Sequence, residues 1–233
     1  MDGISVILLV HNEIKTISKE IDTWTKILAE IPNSELVIAE DASTDGTKEF
    51  LLSQKDKKIV LCQSESKRGY RKAFIDAVDS TQYDYIFLSD TGGKNDINDF
   101  WGFYYRRKDF DLITGLKVQR QDQLYRILMT KVLNFIVRKI FNIRIFDGDS
   151  GFRIYNKKIL KNLLQQEPKF TSFINLELTL KFNLNKYNCL ELPIRYFKRE
   201  GSSRSLPMSK LPRKIYVLVK ELIRFRKINH FTN

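Results

Sequence analysis

The feature that most constrains the fold is an apolar run at residues 36–39 that is followed directly by an acidic, turn-rich segment. This segment, at 40–47, has the sequence EDASTDGT. A short apolar run of this kind is typical of a buried parallel strand. The earlier run at 4–10 likewise ends in the polar residues HNE. Because α/β folds bind ligands at the carboxyl ends of parallel strands, the two strand ends predict a shared ligand pocket.

The first half of the chain alternates apolar runs with helical patterns. This alternation predicts an α/β fold with a mostly parallel central sheet flanked by helices and joined by right-handed crossovers. No repeat or low-complexity segment divides the chain, so one main domain is expected. Strands are predicted at 4–10, 35–40, 58–63, 84–89 and 111–116, and helices at 14–31, 45–54, 69–80 and 96–107.

The second half carries longer helical patterns and fewer strands. We expect the main domain to cover 1–205 and an amphipathic helix to follow within 206–233. Further helices are predicted at 122–142 and 172–183, a turn at 147–151 and a strand at 189–196. The last helix, at 208–227, has apolar residues at helical spacing on one face, namely Leu211, Ile215, Leu218, Leu222 and Phe225.

The 233 residues carry a formal net charge of +12. This excess favours polyanionic partners such as nucleic acid, anionic lipid or phosphorylated substrates, and charge alone does not choose among them. No apolar run approaches the ~20 residues that span a bilayer, and the run at 4–10 is too short for a signal peptide. Cys62 and Cys189 have neither metal-ligand nor disulfide spacing, which fits a cytoplasmic protein.

A third strand-like run, at 83–89, also ends in a carboxylate, Asp90, and is followed by Thr91-Gly92-Gly93. A diphosphate bound at this edge needs a counter-cation. Mg²⁺ or Mn²⁺ takes one or two carboxylates together with phosphate oxygens, so Asp90 is a candidate metal ligand. The alternative is that Asp90 caps the turn before the helix that begins near Asp96.

Several blocks of the sequence resemble those of family 2 glycosyltransferases of the GT-A fold. Within that family the chain is most similar to the dolichol-phosphate and polyprenyl-phosphate sugar synthases. The resemblance implies an inverting transfer of a sugar from a UDP- or GDP-sugar to a polyprenyl phosphate, in cell-envelope glycan synthesis. The blocks keep the family order and are VHNE at 10–13, EDASTDGT at 40–47, KRG at 67–69, the strand end at Asp90, DGDSGFR at 147–153, ELPI at 191–194 and REGSSR at 199–204.

The resemblance also implies a donor site. Asp90 matches the first carboxylate of the family's Asp-x-Asp metal motif, but Gly92 stands at the second. Mg²⁺ or Mn²⁺ would then be held by Asp90, the diphosphate and water. A metal-independent mode, with Lys94 or Arg204 neutralising the diphosphate, stays open. The implied donor-binding residues are Val10, Asn12, Glu13, Asp41, Arg68 and Asp90, although Asn12 and Glu13 also fit as caps of the next helix.

The resemblance implies an acceptor site and a lid as well. The segment 199–204 is implied to close over the diphosphate, where Arg199, Arg204 and Asp90 would stabilise the leaving group. For the acceptor site two alternatives stay open. The helix at 122–142 could be a core helix whose basic residues reach water, and Arg153 could form a structural ion pair instead of binding the acceptor. The implied acceptor-binding residues are Lys117, Arg120, Arg126, Asn134, Ser150 and Arg153.

Other functions stay open. A family 2 enzyme acting on a cell-surface glycan or a protein would share the donor half, and an inactive relative is consistent with Gly92. A nucleic-acid-binding protein fits the charge, but the basic residues are dispersed and form no recognised motif. We expect peripheral attachment to an anionic membrane through 208–227, helped by 122–142. The alternative is that 208–227 packs its apolar face on the domain.

Overall fold

One seven-stranded sheet organises the protein. The computed structural model describes residues 2–54, 59–118, 124–197 and 211–230. The strands are β1 (Ile4–Val10), β2 (Ser34–Asp41), β3 (Ile59–Ser64), β4 (Tyr85–Asp90), β5 (Leu112–Val118), β6 (Phe152–Asn156) and β7 (Cys189–Arg195). They lie in the order β3-β2-β1-β4-β6-β5-β7. Neighbouring strands are parallel except at β6, which runs antiparallel to β4 and β5, so the predicted mostly parallel sheet is confirmed.

Helices cover both faces of this sheet. They are α1 (Ile17–Ala29), α2 (Thr47–Ser53), α3 (Tyr70–Ser80), α4 (Phe100–Tyr104), α5 (Leu124–Phe141), α6 (Lys157–Gln165), α7 (Ile174–Leu184) and α8 (Leu211–His230). The helix predicted at 96–107 is shorter than expected, because a 3₁₀ turn at 97–99 leads into the five residues of α4.

The alternation of side chains along β1 explains the two layers of the core. Val6 and Leu8 point to one face and pack with Trp24 of α1. Ile7 points to the other face and packs with Phe74 of α3. Since both faces are covered, the strand reads as a continuous apolar run, and burying each such side chain contributes about 1.5–3 kcal/mol.

The sequence did not predict β6 or α6. β6 has only five residues, and Arg153 interrupts its apolar pattern. That arginine is nevertheless fully buried, because the neighbouring loop supplies carbonyl acceptors for it. The sequence therefore did not reveal β6 as a strand, because the run is short and contains a charged residue.

The C-terminal helix α8 packs on the domain with part of its apolar face. Leu218, Leu222 and Phe225 are buried in a third cluster, together with Phe141 of α5 and Leu180 of α7. Ile215 was predicted on the same face but stays 42% exposed. Among the residues that the structure describes, no helix is both long and apolar enough to cross a membrane.

Candidate active site

The carboxyl ends of β1, β2 and β4 meet at one edge of the sheet. The strand register places Glu40 beside Val10 and Asp90 beside Leu9, while the Val10 side chain packs in the core below. Glu13 reaches the same edge, because the Thr91 hydroxyl donates to its carboxylate at 3.4 Å. The structure therefore brings Glu13, Asp41 and Asp90 to one edge, as the pattern of strand ends predicted.

The segments that follow β1 and β2 are tied together by side-chain hydrogen bonds. Asn12 has a left-handed backbone with φ 54°, and its Oδ1 accepts from the Thr44 N–H at 2.6 Å. The Asn12 N–H in turn donates to Ser43 Oγ at 2.8 Å. The Glu13 N–H donates to Thr47 Oγ1 at 2.9 Å. Asn12 thus shapes the pocket wall by connecting two loops.

Asp41 anchors the start of α3. Its two carboxylate oxygens accept from the backbone N–H groups of Arg68 at 2.7 Å and of Gly69 at 2.9 Å. Gly69 has φ 86°, a conformation that favours glycine. Each carboxylate oxygen accepts more than one hydrogen bond, so Asp41 retains capacity for a ligand donor. The side chain is buried.

Basic side chains lie around Asp41. His11 Nδ1 lies 2.8 Å from the Asp41 carbonyl oxygen, and Lys67 Nζ lies 2.9 Å from His11 Nε2. The Arg68 guanidinium, predicted to bind donor, pairs with Asp76 at 2.6 Å and is 37% exposed. An exposed pair of this kind is weak, so Arg68 is free to exchange Asp76 for a more highly charged anion.

Asp90 lies directly against the loop that precedes β6. Its backbone N–H donates to the Gly151 carbonyl at 2.8 Å, and a Cβ added at Gly151 would overlap the Asp90 carboxylate. Only glycine allows this approach. We refer to the segment Asp147–Gly151 as the 147–151 loop, and this contact fixes its end beside Asp90.

Arg153 holds the 147–151 loop from inside the protein. Its Nε donates to the Ser150 carbonyl, and its terminal nitrogens donate to the carbonyls of Gly148 at 3.1 Å and Asn175 at 3.0 Å. The residue is 0% exposed. In this conformation the guanidinium therefore faces protein carbonyls, and the predicted direct contact with an acceptor has no exposed nitrogen to make it.

The other end of the loop is held by Glu191 and Lys117. Glu191 accepts from the N–H groups of Phe146 and Asp147, each at 2.7 Å. Lys117, at the end of β5, pairs with the Asp147 carboxylate at 3.3 Å. The Lys117 ammonium therefore places a positive charge beside the loop, where it can attract a phosphate. Ser150 is fully buried.

Asp149 is the loop residue whose role the sequence did not indicate. The pKa of its carboxyl group is raised to about 7, mainly by burial and to a smaller extent by the charges of Asp147 and Asp90, while Lys117 and Arg153 oppose the shift. The effect of the Asp90 charge means that the two carboxyl groups are within electrostatic reach of each other. Burial is the main reason why the ionised form of Asp149 is unfavourable, and the nearby carboxylates add to the effect.

Two further site residues come from helices and were also missed. The Tyr70 hydroxyl, from the first turn of α3, lies 3.5 Å from Asp90 Oδ1. The Asn175 amide of α7 donates to the Tyr70 oxygen at 3.1 Å. Burial of the phenol, and then the Asp90 charge, raise the Tyr70 pKa well above its usual value, so Tyr70 stays a donor. A tyrosine or an asparagine within a helical segment does not by itself indicate a functional site in the sequence.

Glu20 shapes the turn after β4. One carboxylate oxygen of this buried α1 residue accepts from the N–H groups of Gly92 at 2.7 Å and Gly93 at 2.9 Å. Both glycines have positive φ, 96° and 65°. The turn is therefore held from the α1 side, and Gly92 adds no side chain where the metal motif would place a second carboxylate.

Several predicted site residues lie elsewhere. Arg120, Arg199 and Arg204 lie outside the described residues, and the side chain of Arg126 is not described, although its helix α5 is. Asn134 is buried on α5, on the same face as Val137 and Phe141 of the third cluster. Its side chain thus points into the protein rather than toward an acceptor.

The described part of the chain contains no group of three or more His, Cys, Asp or Glu residues arranged to hold a metal ion. A hard divalent cation nevertheless needs only one or two carboxylates when it also binds phosphate oxygens. Asp90 fits such a cation, because it brings one carboxylate to the edge where the strand ends meet, with one side of that carboxylate packed against Gly151. The residues at this edge therefore suit a metal that arrives with a diphosphate.

A sheet of this topology, with carboxylates grouped at the carboxyl ends of parallel strands, defines an α/β protein that binds its ligand at that edge. The family comparison makes the class specific. The profile of glycosyl transferase family 2 matches residues 5–164, more than half of the chain. The chain belongs to glycosyl transferase family 2, and the family predicted from the sequence is confirmed.

Curated relatives are distant but match along most of the chain. The undecaprenyl-phosphate 4-deoxy-4-formamido-L-arabinose transferase of Salmonella choleraesuis (strain SC-B67) is 21% identical over 221 residues, which cover 93% of this chain. The protein of Salmonella newport (strain SL254) matches with the same identity and coverage. The chain spans only 66% of the length of these relatives.

Solved structures confirm the GT-A fold. Glucosyl-3-phosphoglycerate synthase from Mycobacterium tuberculosis in complex with UDP superimposes with a TM-score of 0.72 at 16% identity, covering 97% of this chain and 80% of its own. A complex of that enzyme with Mn²⁺, UDP and glucosyl-3-phosphoglycerate gives 0.70 at 17% identity, covering 95% and 80%. Mannosyl-3-phosphoglycerate synthase from Rubrobacter xylanophilus gives 0.73 at 14% identity, covering 98% and 75%.

Proposed function

We propose that this protein is an inverting glycosyltransferase that moves a sugar from a UDP- or GDP-sugar to a polyprenyl phosphate. One observation carries the donor half: in a family 2 domain, Asp41 and Asp90 end β2 and β4, the two strands that flank β1, and the 147–151 loop packs against Asp90. The acceptor half is supported by the distant relative from Salmonella choleraesuis, an undecaprenyl-phosphate 4-deoxy-4-formamido-L-arabinose transferase.

The donor side rests on oriented polar groups. Asn12 and Glu13 join the loops that would enclose the base and ribose, and Asp41 accepts hydrogen bonds at the start of α3. Asp90 would hold Mg²⁺ or Mn²⁺ with the diphosphate, and that ion would supply charge neutralisation of the leaving group. The Tyr70 hydroxyl orients the Asp90 carboxylate from the α3 side. Arg199 and Arg204 would stabilise the diphosphate, as the resemblance to the family implies.

The acceptor side needs no strong general base. A phosphate monoester is ionised near neutral pH, so in-line attack at the sugar C1 depends on positioning and on stabilising the departing diphosphate. Lys117 stands at the end of β5 beside the loop and would hold the acceptor phosphate. Arg120 and Arg126, predicted nearby in sequence, would share that charge.

We also propose that α5 and α8 attach the protein peripherally to an anionic membrane. A stripe of α5 is exposed and apolar: Leu124 is 84% exposed, Leu128 63%, Val132 50% and Phe135 53%. Lys131 and Lys139 lie exposed on the same helix. Basic residues near an anionic surface contribute about 1 kcal/mol each, in addition to apolar insertion. The stripe lies on the helix that follows β5, where a lipid acceptor would enter.

A thermal-shift screen of UDP, GDP and their sugars, with and without Mn²⁺, tests the donor. Stabilisation by one nucleotide class is expected, and no response to any nucleotide would contradict the proposal. Transfer assays with polyprenyl phosphate against soluble sugars, glycans and phosphoglycerate then test the acceptor. Transfer only to a soluble acceptor would retain the donor half and overturn the lipid acceptor.

Sedimentation with vesicles containing anionic lipid tests the membrane proposal. Deleting α8 would expose the third core cluster, so point variants are preferable. The combined change Leu124→Ser, Leu128→Ser and Phe135→Ser removes exposed side chains only and should abolish sedimentation. A matched variant, Leu52→Ser, removes a side chain that is 55% exposed on α2 and should sediment like the unmodified protein. Equal binding by both variants would contradict the role of α5.

A further inference from the structure

The turn after β4 offers a cation only one carboxylate. Gly92 has no side chain, and the N–H groups of Gly92 and Gly93 are both bonded to Glu20. Asp90 is the sole acidic side chain that β4 contributes at this point. A cation there would gain from a second carboxylate on a neighbouring segment.

The 147–151 loop lies in direct contact with Asp90. The Asp90 N–H bonds to the Gly151 carbonyl at 2.8 Å, and the carboxylate packs where a Gly151 side chain would otherwise lie. Arg153 fixes the carbonyls of Gly148 and Ser150 from below. The loop backbone is therefore rigid on both sides of Asp149.

We propose that Asp149 supplies the second carboxylate ligand of a divalent cation that Asp90 holds together with the donor diphosphate. This inference rests on the proposed nucleotide-sugar function and extends it to a residue of this chain that compensates for Gly92. Asp149 is the acidic loop residue available for the role, because Asp147 is already paired with Lys117 at 3.3 Å. Among the described residues, no hydrogen-bond donor reaches the Asp149 carboxylate.

Two buried oxygens beside these carboxylates also lack partners among the described residues. Ser150 Oγ, next to Asp149, is one of them, and Asn175 Oδ1 is the other. Ser150 is 0% exposed and Asn175 is 6% exposed. The Asn175 amide lies at the Tyr70 hydroxyl, which contacts Asp90, so its free oxygen lies in the same small region. Unpaired buried oxygens are unfavourable, and a hydrated cation supplies donors for them.

Mn²⁺ binding to the full chain tests the proposal without an activity assay. The free Mn²⁺ signal in electron paramagnetic resonance is titrated with protein in the presence of UDP, and in parallel GDP. Asp149→Asn keeps the size of the side chain and removes its charge. We expect it to weaken Mn²⁺ binding by at least about tenfold, which is the loss of affinity that substitutions around metal sites typically cause. Asp149→Ala should weaken binding further.

The matched control is Asp79→Asn, which removes an exposed carboxylate that pairs with Lys161 at 2.9 Å. It should leave Mn²⁺ binding within about twofold of the unmodified protein. Nucleotide binding without metal is measured first by calorimetry. If neither UDP nor GDP binds, both the proposed function and this inference are contradicted. If a nucleotide binds and Asp149→Asn holds Mn²⁺ as tightly as Asp79→Asn does, the inference alone is overturned.

Discussion

Glu20 and Gly92 are joined by a hydrogen bond of 2.7 Å, in which the Gly92 N–H donates to a buried carboxylate of α1. The bond connects the first helix of the chain to the turn beside Asp90. A side chain from outside the pocket thus sets the backbone conformation at the pocket edge.

Glu20→Ala should loosen this turn. The change removes the acceptor of two backbone N–H groups, and leaving the buried Gly92 N–H unpaired costs about 1–3 kcal/mol. Urea denaturation should show a lower free energy of unfolding, and calorimetry should show weaker UDP or GDP binding. Glu20→Gln retains an acceptor oxygen and should be milder in both measurements. Equal effects of the two variants would contradict a hydrogen-bonding role.

Gly151→Ala should displace Asp90, because the added Cβ overlaps the carboxylate. We expect a loss of about 1–3 kcal/mol in stability, as for other overpacked sites, and loss of Mn²⁺ binding in the presence of nucleotide. The control is Gly102→Ala, where the Cβ meets only a Leu192 methyl at 3.9 Å. That change in α4 should be neutral or stabilising. A Gly151→Ala protein with unchanged stability and Mn²⁺ binding would refute the close approach.

Asp149→Asn should stabilise the metal-free protein at alkaline pH. The folded pKa of Asp149 is raised to about 7 from 3.8, so the folded state binds this proton more tightly than the unfolded state does. Stability is therefore greatest when the group is protonated and falls as pH rises from about 4 to about 7. Asparagine has no such titration.

The corresponding measurement is denaturation in EDTA at pH 5 and pH 8. The stability gain of Asp149→Asn over the unmodified protein should be larger at pH 8, by on the order of 2 kcal/mol. Asp79→Asn, at an exposed site, should show no such difference. A gain that is the same at both pH values would mean that Asp149 titrates normally in the folded protein.

Arg153→Lys should destabilise the protein although it keeps the charge. Lysine cannot reach the carbonyls of Gly148, Ser150 and Asn175 together, so buried acceptors lose their donors. The expected loss is at least about 3 kcal/mol in urea denaturation. Arg106→Lys, at an exposed arginine that donates to the Gly102 carbonyl at 3.1 Å, should change stability by less than about 0.5 kcal/mol. Similar values for both would contradict a supporting role for Arg153.

The strands that build the donor side were predictable because each is a buried apolar run that ends in a polar residue. β1, β2 and β4 have this form, and the structure places all three as neighbours. Parallel pairing then brings Asp41 and Asp90 to one edge without any further information. Local pattern and topology agree here, which is why the sequence was sufficient.

The contacts that helices make with the site were less predictable, since they join segments that are distant in sequence. Asn175 meets Tyr70 across 105 positions, and Glu20 meets Gly92 across 72. Residues on every face of α7 are buried, including the polar Asn175 and Glu177, so its polar residues show no helical periodicity. Arg153 was recognised by its block, but only the structure shows that it faces inward.

The reversed direction of β6 has a consequence for how such a site diversifies. Donor residues follow their strands, whereas the 147–151 loop precedes β6 and still reaches the same edge because that strand runs the other way. Insertions between α5 and β6 would remodel one half of the cleft and leave the nucleotide half unchanged. The architecture therefore allows the acceptor specificity to change during evolution while the donor site stays the same.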